Sequence, residues 1–394
     1  MTDGASTGLD LSDVDHRVGQ PVGGGQLWDP CGSSDIRRWV MAMDYPNPVH
    51  WDEEFARASR FGGLVAPQSI AVALDYGHGA APACVGHIPD SHLIFGGEEW
   101  WFYGCPVRVG DTLFQQRRFH GYKVVETKFA GPTMFSNGDT VHTNQHGTLV
   151  ARERSTAIRY LVEEATKRGM YDDQVGVVRR WTGAELAEIE KVRHEWLISN
   201  RAGDSPRFEE VSVGDRLPRR VIGPHSIASF TTEYRAFLFN IWGTFRWVAP
   251  PGVENPWINQ DPGWKDGFGF DEEGAKIDPR KRDGVYVGPS RGHIDADRAI
   301  EVGMARAYGY GATMGAWCTD YLAYWAGHDG MVRHSKASYR APAFEGDVTY
   351  FDAEVVGTQP ESAWGVPLVQ VQLRLTNQDG AMLVDCTAEI ELPR

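Results

Sequence analysis

Two passages of this chain recur in the same order, and that repeat restricts the fold more than any other feature of the sequence. Tyr103-Gly104-Cys105-Pro106-Val107-Arg108-Val109-Gly110-Asp111 has a later counterpart in Tyr339-Arg340-Ala341-Pro342-Ala343-Phe344-Glu345-Gly346-Asp347, with Tyr, Pro and Gly-Asp at one offset. Thr143-Asn144-Gln145-His146-Gly147, followed by Leu149-Val150, returns as Thr376-Asn377-Gln378-Asp379-Gly380, followed by Leu383-Val384. A supersecondary pattern that repeats implies two copies of one structural unit. At 394 residues, 42% of them hydrophobic, the chain can bury two medium cores.

Gly-Asp and Asn-Gln-x-Gly punctuate β-rich runs such as Leu149 to Tyr160 and Val369 to Leu375, so both passages read as antiparallel hairpins. Ahead of each hairpin set lies a small-residue helix, Ser69 to Leu74 in the first half and Met314 to Tyr324 in the second. Such a helix suits burial against a curved sheet. Thr182-Gly183-Ala184-Glu185 has capping-box spacing and opens a connector helix with apolar residues at Leu186, Ile189, Val192, Trp196 and Leu197. The expected organisation is a flexible leader over 1–24, a first unit over 25–162, a helical connector over 163–205 and a second unit over 206–394. The leader includes the glycine run Pro21-Val22-Gly23-Gly24-Gly25, which lacks the context of a dinucleotide-binding loop.

A formal charge of -14 and the lack of a basic stripe argue against nucleic acid as a partner. The five cysteines are scattered without metal-ligand spacing, so neither a disulfide framework nor a zinc site is expected, and the reducing cytoplasm is the expected compartment. Neither a metal nor another cofactor is expected. No apolar run approaches the roughly 18 to 20 residues of a membrane span, and the polar, acidic N-terminus has no export pattern.

Asp44-Tyr45-Pro46-Asn47-Pro48-Val49-His50-Trp51-Asp52 precedes the first buried helix and continues through an acidic stretch to Gly62-Gly63. This segment resembles the hydratase motif of the MaoC-like enzymes, in which an Asp and a His bracket an Asn-Pro pair. The first half looks like the MaoC dehydratase N-terminal, fatty-acid-synthase-type unit. The resemblance implies an α+β double hotdog, with two antiparallel sheets each wrapped around a central helix. It also implies a hydro-lyase that hydrates a 2-enoyl thioester or dehydrates a 3-hydroxyacyl thioester, with acyl-CoA as the carrier. His50 and Asp44 are then the acid-base pair, and the backbone amide of Gln68 is the oxyanion donor. Asp44 to His50 is one residue longer than the common spacing, so Asp52 competes as the partner of His50.

In the second half, His293 stands the same distance before a helix start, with Gly311 in the position of the oxyanion residue and no carboxylate shortly ahead. A degenerate second site is expected there. Residues 240–287 form an insertion rich in Trp and Phe, read either as a lid or pocket wall or as a plug for the second unit. Thioester hydrolysis and a non-catalytic acyl-thioester-binding subunit are the alternative functions, and a homodimer is the expected assembly.

Overall fold

The computed structural model describes residues 8–26, 30–74, 81–86, 88–236 and 291–394; the aromatic insertion 240–287 lies outside the described residues. In chain order the first half supplies β1 (Pro21–Gln26), α1 (Ser33–Ala42), α2 (Glu53–Ala58), β2 (Ser91–Phe102), β3 (Leu113–Thr127), β4 (Gly131–Asn144) and β5 (Leu149–Leu161). Helix α3 (Gly183–Ser199) leads to β6 (Arg220–Ile222), α4 (Ala296–Glu301), α5 (Gly311–Ala326), β7 (Met331–Tyr339), β8 (Thr349–Gln359), β9 (Leu368–Thr376) and β10 (Met382–Glu391).

The strands do not form the two separate sheets expected. They join in one ten-stranded antiparallel sheet, ordered β1-β3-β4-β5-β2-β7-β10-β9-β8-β6. The halves meet where β2 pairs with β7, in a register running from Gly97 opposite Ser338 to Trp101 opposite His334. Two separate five-stranded sheets would each leave a long strand edge with unpaired N–H and C=O groups, and this pairing satisfies both. The glycine run expected in the flexible leader is instead β1, paired with β3.

The central helices differ between the halves. In the second half, α5 is buried along most of its length, including Trp317, Cys318, Tyr321 and Leu322, and packs on β7, β2 and β10. A fully buried large apolar side chain stabilises the fold by about 1.5–3 kcal/mol. The first half has only a 3₁₀ helix, Gln68–Val72, in the corresponding place among the described residues. Pro67 precedes it, and the β-branched Ile70 and Val72 favour an α-helix less than straight-chain residues do. Ser69 ties it to α5, donating to Asp320 at 2.6 Å while accepting from Trp39 Nε1 at 2.9 Å.

The repeated passages touch each other, which explains why they recur together. Asn144 Oδ1 accepts from the amides of His146 and Thr148 and shapes the β4–β5 turn; Asn377 does the same with Asp379 and Ala381. The adjoining glutamines clamp the Gly-Asp turns: Gln145 Nε2 donates to Asp111 at 2.8 Å, and Gln378 Nε2 to Asp347 at 2.9 Å. Helix α3 opens on its capping box, with Thr182 and Glu185 exchanging side chain-to-backbone bonds.

Candidate active site

The loop after α1 carries the motif residues, and its shape follows from local caps. Asp44 ends α1 at φ 51°, the left-handed position that Asp, Asn and Gly tolerate best, while the Tyr45 amide reaches back to the Val40 carbonyl at 2.9 Å. From the second half, the buried Arg220 guanidinium donates to the carbonyls of Met43 (2.9 Å) and Asp44 (2.7 Å). Asn47 then caps the 3₁₀ turn Pro48–His50 by accepting from the Val49 amide. Asp52 caps α2, its Oδ1 accepting from Glu54 and Phe55 at 3.0 Å each.

This geometry separates the expected dyad. Asp44 is exposed and does not line the cavity around His50, and the carboxylate of Asp52 is occupied at the start of α2. The structure brings neither to the imidazole. The reason is the cap: a residue in the left-handed conformation at the end of α1 has its side chain aimed by the helix terminus, not by the loop that follows.

His50 is buried, and its Nδ1 lies 2.7 Å from the Val65 carbonyl. A carbonyl oxygen can only accept, so Nδ1 carries the proton and Nε2 keeps its lone pair. Burial holds the ring's pKa down at about 4; the Val65 bond opposes this, and nearby His328 adds to it. The imidazole is therefore neutral near pH 7 and suited to accept a proton.

Around it lies a cavity of about 320 Å³ built from both halves. Tyr45, Asn47, Gln68 and Phe102 come from the first half, and His328 and Arg333 from the second. Gln68 opens its 3₁₀ helix, so its amide N–H has no intrahelical acceptor. Its side chain meanwhile bonds both the C=O (2.8 Å) and the N–H (3.1 Å) of Val332. Arg60, Arg108 and Arg333 supply positive charge to the walls, and the lining carboxylate Glu391 is paired with Arg333 at 2.6 Å. No local sequence signal marks Arg220, Arg333 or His328 as parts of this site, because each arrives from the other half of the chain.

Residues 17–153 match the family model for the FAS1-like, dehydratase domain region. A UPF0336 protein of Streptomyces avermitilis is 28% identical over 142 residues, 35% of this chain and 87% of that protein. A solved MaoC-like dehydratase superposes with a TM-score of 0.59 at 16% identity, covering 96% of this chain and 99% of the other. A conserved hypothetical protein of Mycobacterium tuberculosis, described as a double hotdog, gives 0.50 at 14% identity, covering 96% and 97%. This chain has the double-hotdog fold.

The second hotdog half repeats the local geometry of the first. The 3₁₀ turn Arg291–His293 ends in a histidine, Asp295 caps α4, and His293 Nδ1 lies 2.7 Å from the Tyr308 carbonyl, fifteen residues on, as Val65 is from His50. Isolated bridges follow in both halves, Val65 with Arg108 and Tyr308 with Phe344. The surroundings differ. His293 is packed between Tyr308 and Tyr310, and Gly311, at the start of α5, lies so close to Phe95 that any Cβ there would collide with it. Among the described residues, no group of three or more His, Cys, Asp or Glu side chains could hold a metal ion, and no helix is long and apolar enough to cross a membrane.

Proposed function

We propose that this chain adds water to a 2-enoyl thioester, or removes it from a 3-hydroxyacyl thioester, at the cavity around His50. The observation that carries this reading is the neutral imidazole, tautomerically fixed by the Val65 carbonyl and facing a cavity that can hold the reacting carbons. His50 Nε2 takes a proton from water as the oxygen bonds to C3, and the C2=C3 pair moves towards the thioester as an enolate. His50 then returns the proton to C2 and regains its neutral form. The Gln68 amide is the donor assigned to the enolate oxygen. With Arg333 paired to Glu391, Arg60 and Arg108 are the cations that suit a carrier bearing phosphates, and coenzyme A is the carrier we assign.

Hydrolysis of the thioester is disfavoured because the lining carboxylate Glu391 is held by Arg333. Asp44 has no part in the chemistry proposed here. His293 and Gly311 form the degenerate second site, with Phe95 packed against the start of its helix.

The test is to incubate the protein with crotonyl-, octenoyl- and dodecenoyl-CoA while following enone absorbance and free thiol. Loss of enone without thiol release is expected. Removing a general acid-base group costs ~10² to 10⁴ in rate, so His50→Ala should lose that much kcat while His293→Ala loses far less. Thiol release would favour hydrolysis, and no turnover of any enoyl-CoA would leave an acyl-binding subunit as the better reading.

A further inference from the structure

A water attacking C3 has two protons, and His50 can take only one of them. In a buried site the O–H that stays on the oxygen needs its own acceptor, or the water is neither oriented nor fully hydrogen-bonded. The cavity's carboxylate, Glu391, is engaged by Arg333, and Asp44 and Asp52 lie elsewhere.

His328 is the other imidazole of the cavity. It follows α5 in the second half, is half-buried, and lines the same cavity as His50. Its Nε2 lies 3.0 Å from Asn47 Oδ1, the oxygen that also accepts from the Val49 amide. An oxygen that accepts from a backbone N–H is the carbonyl end of the amide, so His328 Nε2 must be the donor. The neutral ring then keeps a lone pair at Nδ1. Three further contacts hold the ring: the Phe55 edge at 5.0 Å, the His328 amide bond to the Gly203 carbonyl at 2.9 Å, and Gly203 itself. Gly203 has φ +71° and approaches the imidazole so closely that any side chain there would displace it. The charged groups around His328 are Arg60, Asp204 and Asp329.

We infer that His328 is the second acceptor for the attacking water, so that one hydration site is completed by a histidine from the other half of the chain. The inference rests on the hydration reading above. His328 neither gains nor loses a proton in the cycle; it accepts a hydrogen bond from the O–H that becomes the 3-hydroxyl. The second half has a related arrangement, in which His92 of the first half lies near His293 and 3.2 Å from the Tyr308 hydroxyl.

Two substitutions separate this role from a structural one. In His328→Gln the side-chain amide reaches the position of Nε2 and can keep the bond to Asn47, but nothing replaces Nδ1. In His328→Asn the amide oxygen can stand where Nδ1 stood, and the bond to Asn47 is lost. With the best substrate of the enoyl-CoA panel, His328→Gln is expected to lose ~10² in kcat with KM little changed, as for a misplaced reactant. His328→Asn should retain most of the activity. In both variants the acid limb of the kcat/KM profile should move upward, because the imidazolium that His328 forms at acid pH, which opposes the charged form of His50, is gone. Wild-type kcat in His328→Gln, or a greater loss in His328→Asn than in His328→Gln, overturns the inference. If His50→Ala is also fully active, the hydration reading itself fails, so the two failures are distinguishable. Circular dichroism on each variant confirms that the fold is intact.

Discussion

A histidine whose Nδ1–H is held by a main-chain carbonyl is a weaker base at Nε2 than one backed by a carboxylate, because no negative charge stabilises the imidazolium that forms. His50 is of the first kind. Its pKa of about 4 means that the neutral form, the active one under the proposed mechanism, persists well below the ordinary value of 6.5. We therefore expect the acid limb of kcat/KM to fall near pH 4 to 5; a limb at 6.5 would show that the imidazole is more solvated than its burial indicates. Asp44 behaves as a cap. Asp44→Asn should leave kcat within about twofold, since Asn tolerates the same conformation, whereas Asp44→Val should cost about 1–2 kcal/mol in thermal stability for a β-branched residue at positive φ. The turn that carries His50 was legible in the sequence because Asn47 and Pro48 create it locally. The conformations of Asp44 and Asp52 at helix ends were not, because helix-capping and catalytic aspartates look alike in a motif.

At the level of elements, the inner face of the first sheet half carries charge where alternation would place apolar residues. Glu98 on β2 and Glu153 on β5 are buried, and the two carboxyl oxygens of Glu153 have no hydrogen-bond partner among the described residues. Burial raises both pKa values, that of Glu98 to about 8 from 4.5. The folded protein thus holds a proton that the unfolded chain releases above pH 4.5. Stability from this source is full below that value and declines as pH rises towards 8. The melting temperature should fall over that window, and Glu98→Gln should flatten the slope; an unchanged slope would mean that other groups set it. The burial of Glu98 leaves no local trace in the sequence, because β7, which lies beside β2, is far along the chain. The hairpin turns were legible because Asn, Gln and Gly-Asp act over short separations. The 3₁₀ helix at Gln68–Val72 was not, since small apolar residues fit both helical types.

The molecule as a whole depends on the β2–β7 pairing, which sets Asn47 against His328 and Arg220 beneath the Asp44 loop. A shift of one residue in that register would turn every side chain on the strand to the opposite face. The doubled hairpin pattern was readable from the repeat, but the continuity of the sheet was not, because strand partners so far apart leave no local trace. This pairing also has a consequence for biosynthesis. Roughly 230 residues separate the end of β2 from the start of β7. At ~5–20 residues per second a ribosome needs on the order of ten to fifty seconds to supply the second strand after the first. During that interval the nascent first half presents a twelve-residue strand with a bare edge and two adjacent tryptophans, Trp100 and Trp101. Another nascent copy offers the same edge, and antiparallel pairing of β2 with itself would be the natural error. A polypeptide of residues 1–205 should accordingly sediment as a dimer or larger species, and a monodisperse monomer would show that the edge is protected by other means. On that view the chain is most exposed to misassembly while it is being made, and slowing translation beyond β2 should lower the soluble yield.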